Sequence, residues 1–118
     1  MAATTYRGSC QCGAVRFTAA LDLDHTVTCN CSRCRRLGSI LAFTAAEGFT
    51  LEQGADATSE YLFNRHLIRH HFCRTCGIEP FARAAKPDGT PMVAVNVRCL
   101  DGVDASALTP TFFDGASA

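Results

Sequence analysis

Apolar and polar residues alternate in short segments along this chain, and turn residues separate the segments about every ten positions. Such alternation is typical of strands with one buried face. The pattern predicts strands at 13–19, 39–44, 60–64, 67–72, 78–84 and 92–98, with a turn at Pro87-Asp88-Gly89 between the last two. A sequence of short strands divided by turns favours a small sheet sandwich or a barrel-like fold.

Helical periodicity is weak throughout the chain. The best candidates are single turns at 32–37, where Ser32 is placed to cap the N-terminus, and at 104–108. We find no repeat, linker or low-complexity tract. The sequence therefore predicts one all-β domain over residues 1–118 with minimal helix.

Length, charge and composition narrow the possible functions. No apolar run reaches the roughly eighteen residues that a membrane-spanning helix needs, and the N-terminus does not resemble a secretory signal. We therefore expect a cytoplasmic protein without a membrane partner. Basic and acidic residues balance at eleven each. Seven metal-bound thiolates with two Zn²⁺ would bring the charge to about −3, so we expect no nucleic-acid partner.

The eight cysteines carry the strongest chemical signal. They form a pair at Cys10 and Cys12, a triplet at Cys29, Cys31 and Cys34, a pair at Cys73 and Cys76, and a single Cys99. In a reducing compartment, clustered cysteines indicate metal binding rather than disulfides. Zinc prefers four tetrahedral ligands, and a Cys-x-x-Cys turn followed by glycine is a common way to supply two of them. Seven clustered cysteines divide into a closed site of four and an open site of three.

Spacing alone does not fix this partition. The triplet has no local fourth ligand, which leaves the two pairs for the closed site, but Cys34 could instead join Cys73 and Cys76. In a second interpretation both sites are structural, with Cys99 or a histidine as the eighth ligand. Disulfides are the third alternative. Because Cys99 follows an apolar strand, we interpret it as a buried small hydrophobe.

Three cysteine motifs in fixed order relate the chain to a known family. The segments GSCQCGAVRF at 8–17, CNCSRCR at 29–35 and FCRTCG at 72–77, followed by VRCLDG at 97–102, resemble the glutathione-dependent formaldehyde-activating enzymes. The resemblance implies a β-tent of short antiparallel sheets stapled by zinc. It also implies a structural zinc on Cys10, Cys12, Cys73 and Cys76, and a catalytic zinc on Cys29, Cys31 and Cys34.

The activity that the resemblance implies is a carbon–sulfur lyase reaction, the condensation of glutathione with formaldehyde to S-hydroxymethylglutathione. Three thiolates donate much charge to zinc, so the open site should position a thiol more than it activates a carbonyl. The alternative function is a non-catalytic zinc module or a carrier of thiol adducts. The sequence does not predict an oligomeric state.

Several other side chains are secondary candidates. We expect Arg33, Arg35 and Arg36 to offset thiolate charge or face solvent, and less strongly to bind substrate carboxylates. Two neighbouring histidines, His70 and His71, should point to opposite faces of one strand, and one of them is a minor candidate for acid–base chemistry. We assign the phenylalanines to the core, namely Phe43, Phe49, Phe72 and Phe81.

Overall fold

The computed structural model describes residues 3–118, which form two β-sheets with very little helix. The strands are β1 (Thr4–Ser9), β2 (Arg16–Leu21), β3 (Val27–Cys29), β4 (Leu41–Ala45), β5 (Phe49–Gln53), β6 (Thr58–Tyr61), β7 (Arg69–Cys73), β8 (Phe81–Ala85), β9 (Pro91–Asn96) and β10 (Thr111–Phe113). One α-helical turn, α1 (Cys34–Leu37), and short 3₁₀ turns at Ala46–Gly48, Val97–Cys99, Ala105–Ala107 and Gly115–Ser117 complete the described elements. The all-β prediction is confirmed.

The smaller sheet has the order β1-β2-β5, and the larger has the order β10-β3-β4-β9-β8-β7-β6. Neighbouring strands are antiparallel except β10, which runs parallel to β3. This parallel pair departs from the antiparallel sheets that the family resemblance implies. It brings the segment at 111–118 beside Cys29.

Most predicted strands coincide with observed ones, and the differences have local causes. The segment predicted at 13–19 becomes a strand only from Arg16, because residues 10–15 form a loop closed by a hydrogen bond from Cys10 N to Val15 O (3.1 Å). Four strands were not predicted: β1, β3, β5 and β10. The predicted cap at Ser32 is wrong, since α1 begins after Arg33 and has no side-chain cap. The turn predicted at 104–108 is present, and Asp104 caps it.

The core lies between the two sheets. Phe49 packs between Phe17 and Phe81, with ring centroids 5.4 and 4.7 Å away, and Val93 and Val95 are fully buried beside them. These side chains come from one face of each strand, as alternation requires. The opposite face of the larger sheet lines a cavity.

Phe43 corrects a prediction. We expected it in the core, but it lies on the outer face of β4 and is 44% exposed. Its strand neighbour Ala42 takes the core position instead, because the two faces of β4 alternate in the opposite register.

The helices of the described chain are too short to cross a membrane. The longest, Cys34–Leu37, has four residues.

Candidate metal and substrate site

Four cysteines from two distant segments of the chain converge at one end of the small sheet. Cys10 and Cys12 follow β1, and Cys73 and Cys76 come from the end of β7 and the turn after it. Their sulfurs all lie within 4.8 Å of one another. Two of these contacts, Cys10 Sγ to Cys12 Sγ and Cys12 Sγ to Cys73 Sγ, measure 3.7 and 3.6 Å. The cluster joins chain segments that are about sixty residues apart.

The geometry of the four-sulfur cluster fits a metal ion. Zinc–sulfur bonds of about 2.3 Å in a tetrahedron place the sulfurs about 3.8 Å apart, close to the observed separations. Backbone amides also point at the sulfurs: Val15 N donates to Cys10 Sγ and Thr75 N to Cys73 Sγ, both at 3.3 Å. Such bonds stabilise thiolates, which are the form that binds metal. These four residues are therefore suited to hold a thiophilic cation.

Backbone hydrogen bonds favour ionisation of one cysteine of this cluster, Cys76. Burial alone raises the pKa of Cys76, but hydrogen bonds from the backbone amides of Ile78 and Cys12 outweigh it, and the pKa falls to about 6. At neutral pH this sulfur is therefore ready to bind a cation.

A glycine outside the cysteine motifs supports the loop that carries Cys10 and Cys12. Gly54 has a φ of +97°, and a Cβ built on it would lie 2.5 Å from Ala14 O and 2.9 Å from Val15 Cα. Only glycine adopts this conformation cheaply and also leaves room for the neighbouring backbone. The loop of the four-sulfur cluster therefore rests directly on this residue.

The remaining three clustered cysteines form a separate group at the edge of the larger sheet. Cys29 ends β3, Cys31 lies in the following loop, and Cys34 begins α1. Their sulfurs lie within 4.8 Å of one another, and amides donate to two of them: Cys31 N to Cys29 Sγ at 3.4 Å and Cys34 N to Cys31 Sγ at 3.3 Å. Cys34 is thus grouped with the triplet and not with Cys73 and Cys76.

The three-sulfur cluster has no fourth protein ligand among residues 3–118. No cysteine, histidine or carboxylate of the described chain joins it within 4.8 Å. Burial, together with the nearby sulfur of Cys31, raises the pKa of Cys34. At Cys31 burial is outweighed by amide hydrogen bonds, which lower the pKa of its thiol. Three neighbouring thiols cannot all ionise unless a cation compensates the charge. The donor set therefore fits a metal that keeps one position open.

A cavity of about 360 Å³ opens beside this cluster on the outer face of the larger sheet. Its floor is apolar, made by side chains of β3, β4, β8 and β9, and residues 63–68 form a second wall. Apolar residues dominate the lining, among them Val27, Leu41, Phe43, Phe63, Leu67, Ile68, Ala82, Ala84, Ala94 and Phe113. An apolar concave surface with few polar groups is the usual character of a small-molecule site.

The end of β10 and the segment after it complete the cavity wall beside the triplet. Asn30 Nδ2 donates to Asp114 Oδ1 at 2.9 Å, and Ala116 N donates to Asn30 Oδ1 at 2.9 Å. Phe113 and Gly115 both line the cavity. The loop of the triplet is therefore held from the far end of the described chain.

A buried polar chain crosses the cavity wall. Arg33 Nε donates to Glu79 Oε1 at 2.9 Å, and Glu79 Oε2 lies 3.0 Å from His70 Nδ1. Glu79 was not among the predicted site residues. Glu79 is not part of any recognisable sequence motif, and its partner Arg33 lies 46 positions earlier in the chain. Arg33, which we expected to offset thiolate charge or face solvent, is occupied by this carboxylate.

The two neighbouring histidines lie on opposite faces of β7, as predicted. His70 lines the cavity, whereas His71 stacks on Phe81 with ring centroids 5.0 Å apart. Ser39, which was not a predicted site residue, lines the cavity too, and its buried Oγ has no hydrogen-bond partner within residues 3–118.

The other candidates lie outside both clusters. Arg36 donates to Ser32 O at 2.7 Å and, with Tyr61, lines a neighbouring open groove. Arg35 is exposed, and it lines neither this groove nor the cavity. The sulfur of Cys99 joins neither cysteine cluster. Burial raises its pKa to about 12, and this protonated, partly buried thiol agrees with the predicted role of a small hydrophobe.

Comparison with known proteins agrees with this architecture. A crystal structure of a Rhodobacter sphaeroides protein, a structural genomics target, superposes with a TM-score of 0.80 at 32% sequence identity. The match covers 91% of this chain and 99% of that one. The family model of the glutathione-dependent formaldehyde-activating enzyme matches residues 5–113, which include both cysteine clusters and the cavity floor. The chain therefore belongs to the glutathione-dependent formaldehyde-activating enzyme family.

Proposed function

We propose that this protein is a zinc-dependent enzyme of the carbon–sulfur lyase type, which condenses glutathione with formaldehyde or a similar small aldehyde. One observation carries the proposal: three cysteine sulfurs converge at a cavity, and no fourth protein ligand accompanies them among the described residues. A closed structural site would need that ligand, whereas an open one leaves room for a substrate sulfur. The family membership supports the same chemistry.

In this proposal Cys10, Cys12, Cys73 and Cys76 hold a structural zinc, and Cys29, Cys31 and Cys34 hold a catalytic one. Zinc at the open site would supply an electrophile that favours the thiolate form of an incoming thiol. The cysteines position it at the cavity. The apolar walls exclude water, so the thiol and the aldehyde meet as neighbours rather than by diffusion.

The lining favours a second candidate substrate class. Glutathione carries two carboxylates, yet the cationic side chains that line the cavity and its neighbouring groove are few: Arg65, Arg36 and Arg33, the last already paired with Glu79. The rest of the cavity is predominantly apolar. A thiol or aldehyde with an apolar substituent would bury that surface and gain about 25 cal/mol for each Å² removed from water. Titration of an apolar thiol beside glutathione distinguishes the two classes.

The test of the proposed function is zinc content per chain in the wild type and in Cys31→Ser, with glutathione titrated into each by calorimetry. We expect two zinc ions in the wild type. Cys31→Ser should contain one, keep its circular dichroism spectrum and lose thiol binding. Cys99→Ser is the matched control, because its sulfur joins neither cluster, and it should keep both zinc ions and the binding. Two zinc ions in a wild type that binds no thiol would instead indicate a non-catalytic zinc module.

A further inference from the structure

The polar chain Arg33–Glu79–His70 links the loop of the triplet to the sheet that floors the cavity. Arg33 lies between Cys31 and Cys34, whereas His70 projects from β7. His70 and Glu79 are 5% and 8% exposed. A second guanidinium nitrogen of Arg33 also contacts Glu79 Oε1, so the carboxylate charge is compensated. This arrangement fixes the positions of all three side chains.

Glu79 also determines which nitrogen of His70 carries the proton. A carboxylate accepts hydrogen bonds but does not donate them, so Nδ1 of the neutral imidazole must be the protonated nitrogen. Nε2 then presents a lone pair. Phe63 stacks on the ring with centroids 5.3 Å apart, which restricts its rotation.

This lone pair has no partner within the described residues. His70 Nε2 is buried and forms no hydrogen bond there. A buried acceptor without a hydrogen-bond partner destabilises the folded protein. If Glu79 only anchored the loop of the triplet, its hydrogen bond with Arg33 would be sufficient. That role does not explain why His70 is buried with Nε2 left without a hydrogen-bond donor. His70 lines the same cavity as Cys29, Cys31 and Cys34, and a molecule bound in that cavity would be in place to supply the missing partner.

We propose that His70 Nε2 accepts the hydroxyl hydrogen of the thiol–aldehyde adduct, a hemithioacetal, and carries the proton between sulfur and oxygen. This inference rests on the proposed function and names the group that the cavity recognises. In the condensation, the S–H bond breaks and its proton passes to Nε2. The sulfur lone pair forms the S–C bond, the C=O π electrons move to oxygen, and oxygen takes the proton from Nε2. Nothing is oxidised or reduced.

Glu79→Gln tests the tautomer without removing the side chain. Arg33 can only donate, so the amide oxygen of Gln must face Arg33 and its NH₂ must face His70 Nδ1. The proton then moves to Nε2, which becomes a donor. Nitrogen-15 NMR of the labelled imidazole reports this directly: we expect Nε2 to be unprotonated in the wild type and protonated in Glu79→Gln. A protonated Nε2 in the neutral wild-type ring would overturn the inference.

The binding experiment uses cobalt(II)-loaded protein and two thiols, 2-mercaptoethanol and 2-methoxyethanethiol. Both present a sulfur to the metal and an oxygen to the cavity, but only the first can donate a hydrogen bond. The absorption of the cobalt–thiolate bond gives each Kd. We expect the wild type to prefer 2-mercaptoethanol by about tenfold. The preference should disappear in His70→Phe and Glu79→Gln, and persist in His71→Gln, which alters the opposite face of β7.

The outcomes separate this inference from the proposed function. Equal affinity for the two thiols in the wild type, or an unchanged preference in His70→Phe, overturns the role of His70 while thiol binding at the cluster still stands. A wild type whose cobalt spectrum responds to neither thiol overturns the proposed function, and the role of His70 with it.

Discussion

Gly54→Ala is the substitution through which a residue outside both cysteine clusters should affect metal binding. The new Cβ would lie 2.5 Å from Ala14 O and 2.9 Å from Val15 Cα, and both atoms belong to backbone that cannot rotate away. An ordinary contact begins near 3.4 Å, so the loop must move by about 0.9 Å. That loop follows Cys12, and Val15 N donates to Cys10 Sγ. The displacement should therefore pull apart the sulfurs of the four-cysteine cluster.

The magnitude has two parts. An alanine at a φ of +97° costs about 1–2 kcal/mol by itself, and the forced backbone shift adds about 1–3 kcal/mol. Gly89→Ala isolates the first part, because Gly89 has a φ of +90° and a Cβ added there would meet nothing within 4 Å. If the backbone shift weakens zinc binding at the four-cysteine cluster by about 1.4 kcal/mol, the zinc affinity of that cluster falls about tenfold.

Two assays measure these effects: urea unfolding of the zinc-loaded proteins, and competition for zinc with a chromophoric chelator. We expect Gly54→Ala to be less stable than Gly89→Ala. It should also release zinc from the four-cysteine cluster more readily than Gly89→Ala does. Equal stability and equal zinc affinity in the two variants would refute the proposed coupling between Gly54 and the cysteine loop.

Three further predictions concern other parts of the molecule. Phe81→Ala should lower the free energy of unfolding in urea by about 3–5 kcal/mol, because its ring is buried between the sheets, whereas Phe43→Ala on the exposed cavity wall should cost about 1 kcal/mol or less. A chelator should remove metal from the three-sulfur cluster before the four-sulfur cluster, since one protein ligand fewer holds it; zinc release in two phases, with the slower one lost in Cys73→Ser, checks this. The raised pKa of Cys99, about 12 against an ordinary 9.0, favours folding at neutral pH, and this contribution should decline as the pH rises from about 9 to 12; Cys99→Ala should lack that part of the decline in urea unfolding.

The features that could be predicted from the sequence are those with local signals. The alternation of apolar and polar residues predicted the middle strands of the larger sheet. The cysteine motifs predicted which cysteines lie close together as pairs or as a triplet. Three-residue strands such as β3 and β10 have too few positions to show a period. They are defined by long-range pairing, β10 with β3 and β3 also with β4. β1 was also not predicted. One of its faces is open to solvent and few of its residues are buried, so its sequence shows no clear alternation of apolar and polar positions.

The polar chain Arg33–Glu79–His70 has no local signal in the sequence, because its members come from separate parts of the chain. Glu79 follows the Cys73–Cys76 turn, and nothing near it in the sequence indicates that its carboxylate is buried. Its significance comes from two partners, Arg33 and His70, that the fold brings to it from separate elements. From the sequence alone one would expect the Glu79 carboxylate to be exposed to solvent. In the structure it is buried and forms part of the cavity wall.

The late position of β10 in the chain has a consequence for biosynthesis. Asp114 reaches back across 84 residues to hold Asn30, so the wall beside the triplet cannot close until that segment has left the ribosome. At that stage of translation Cys29, Cys31 and Cys34 have already emerged, and their thiols are open to the metal pool and to oxidants of the cell. The order of synthesis thus leaves the triplet accessible to metal ions for a period before the wall beside it is complete.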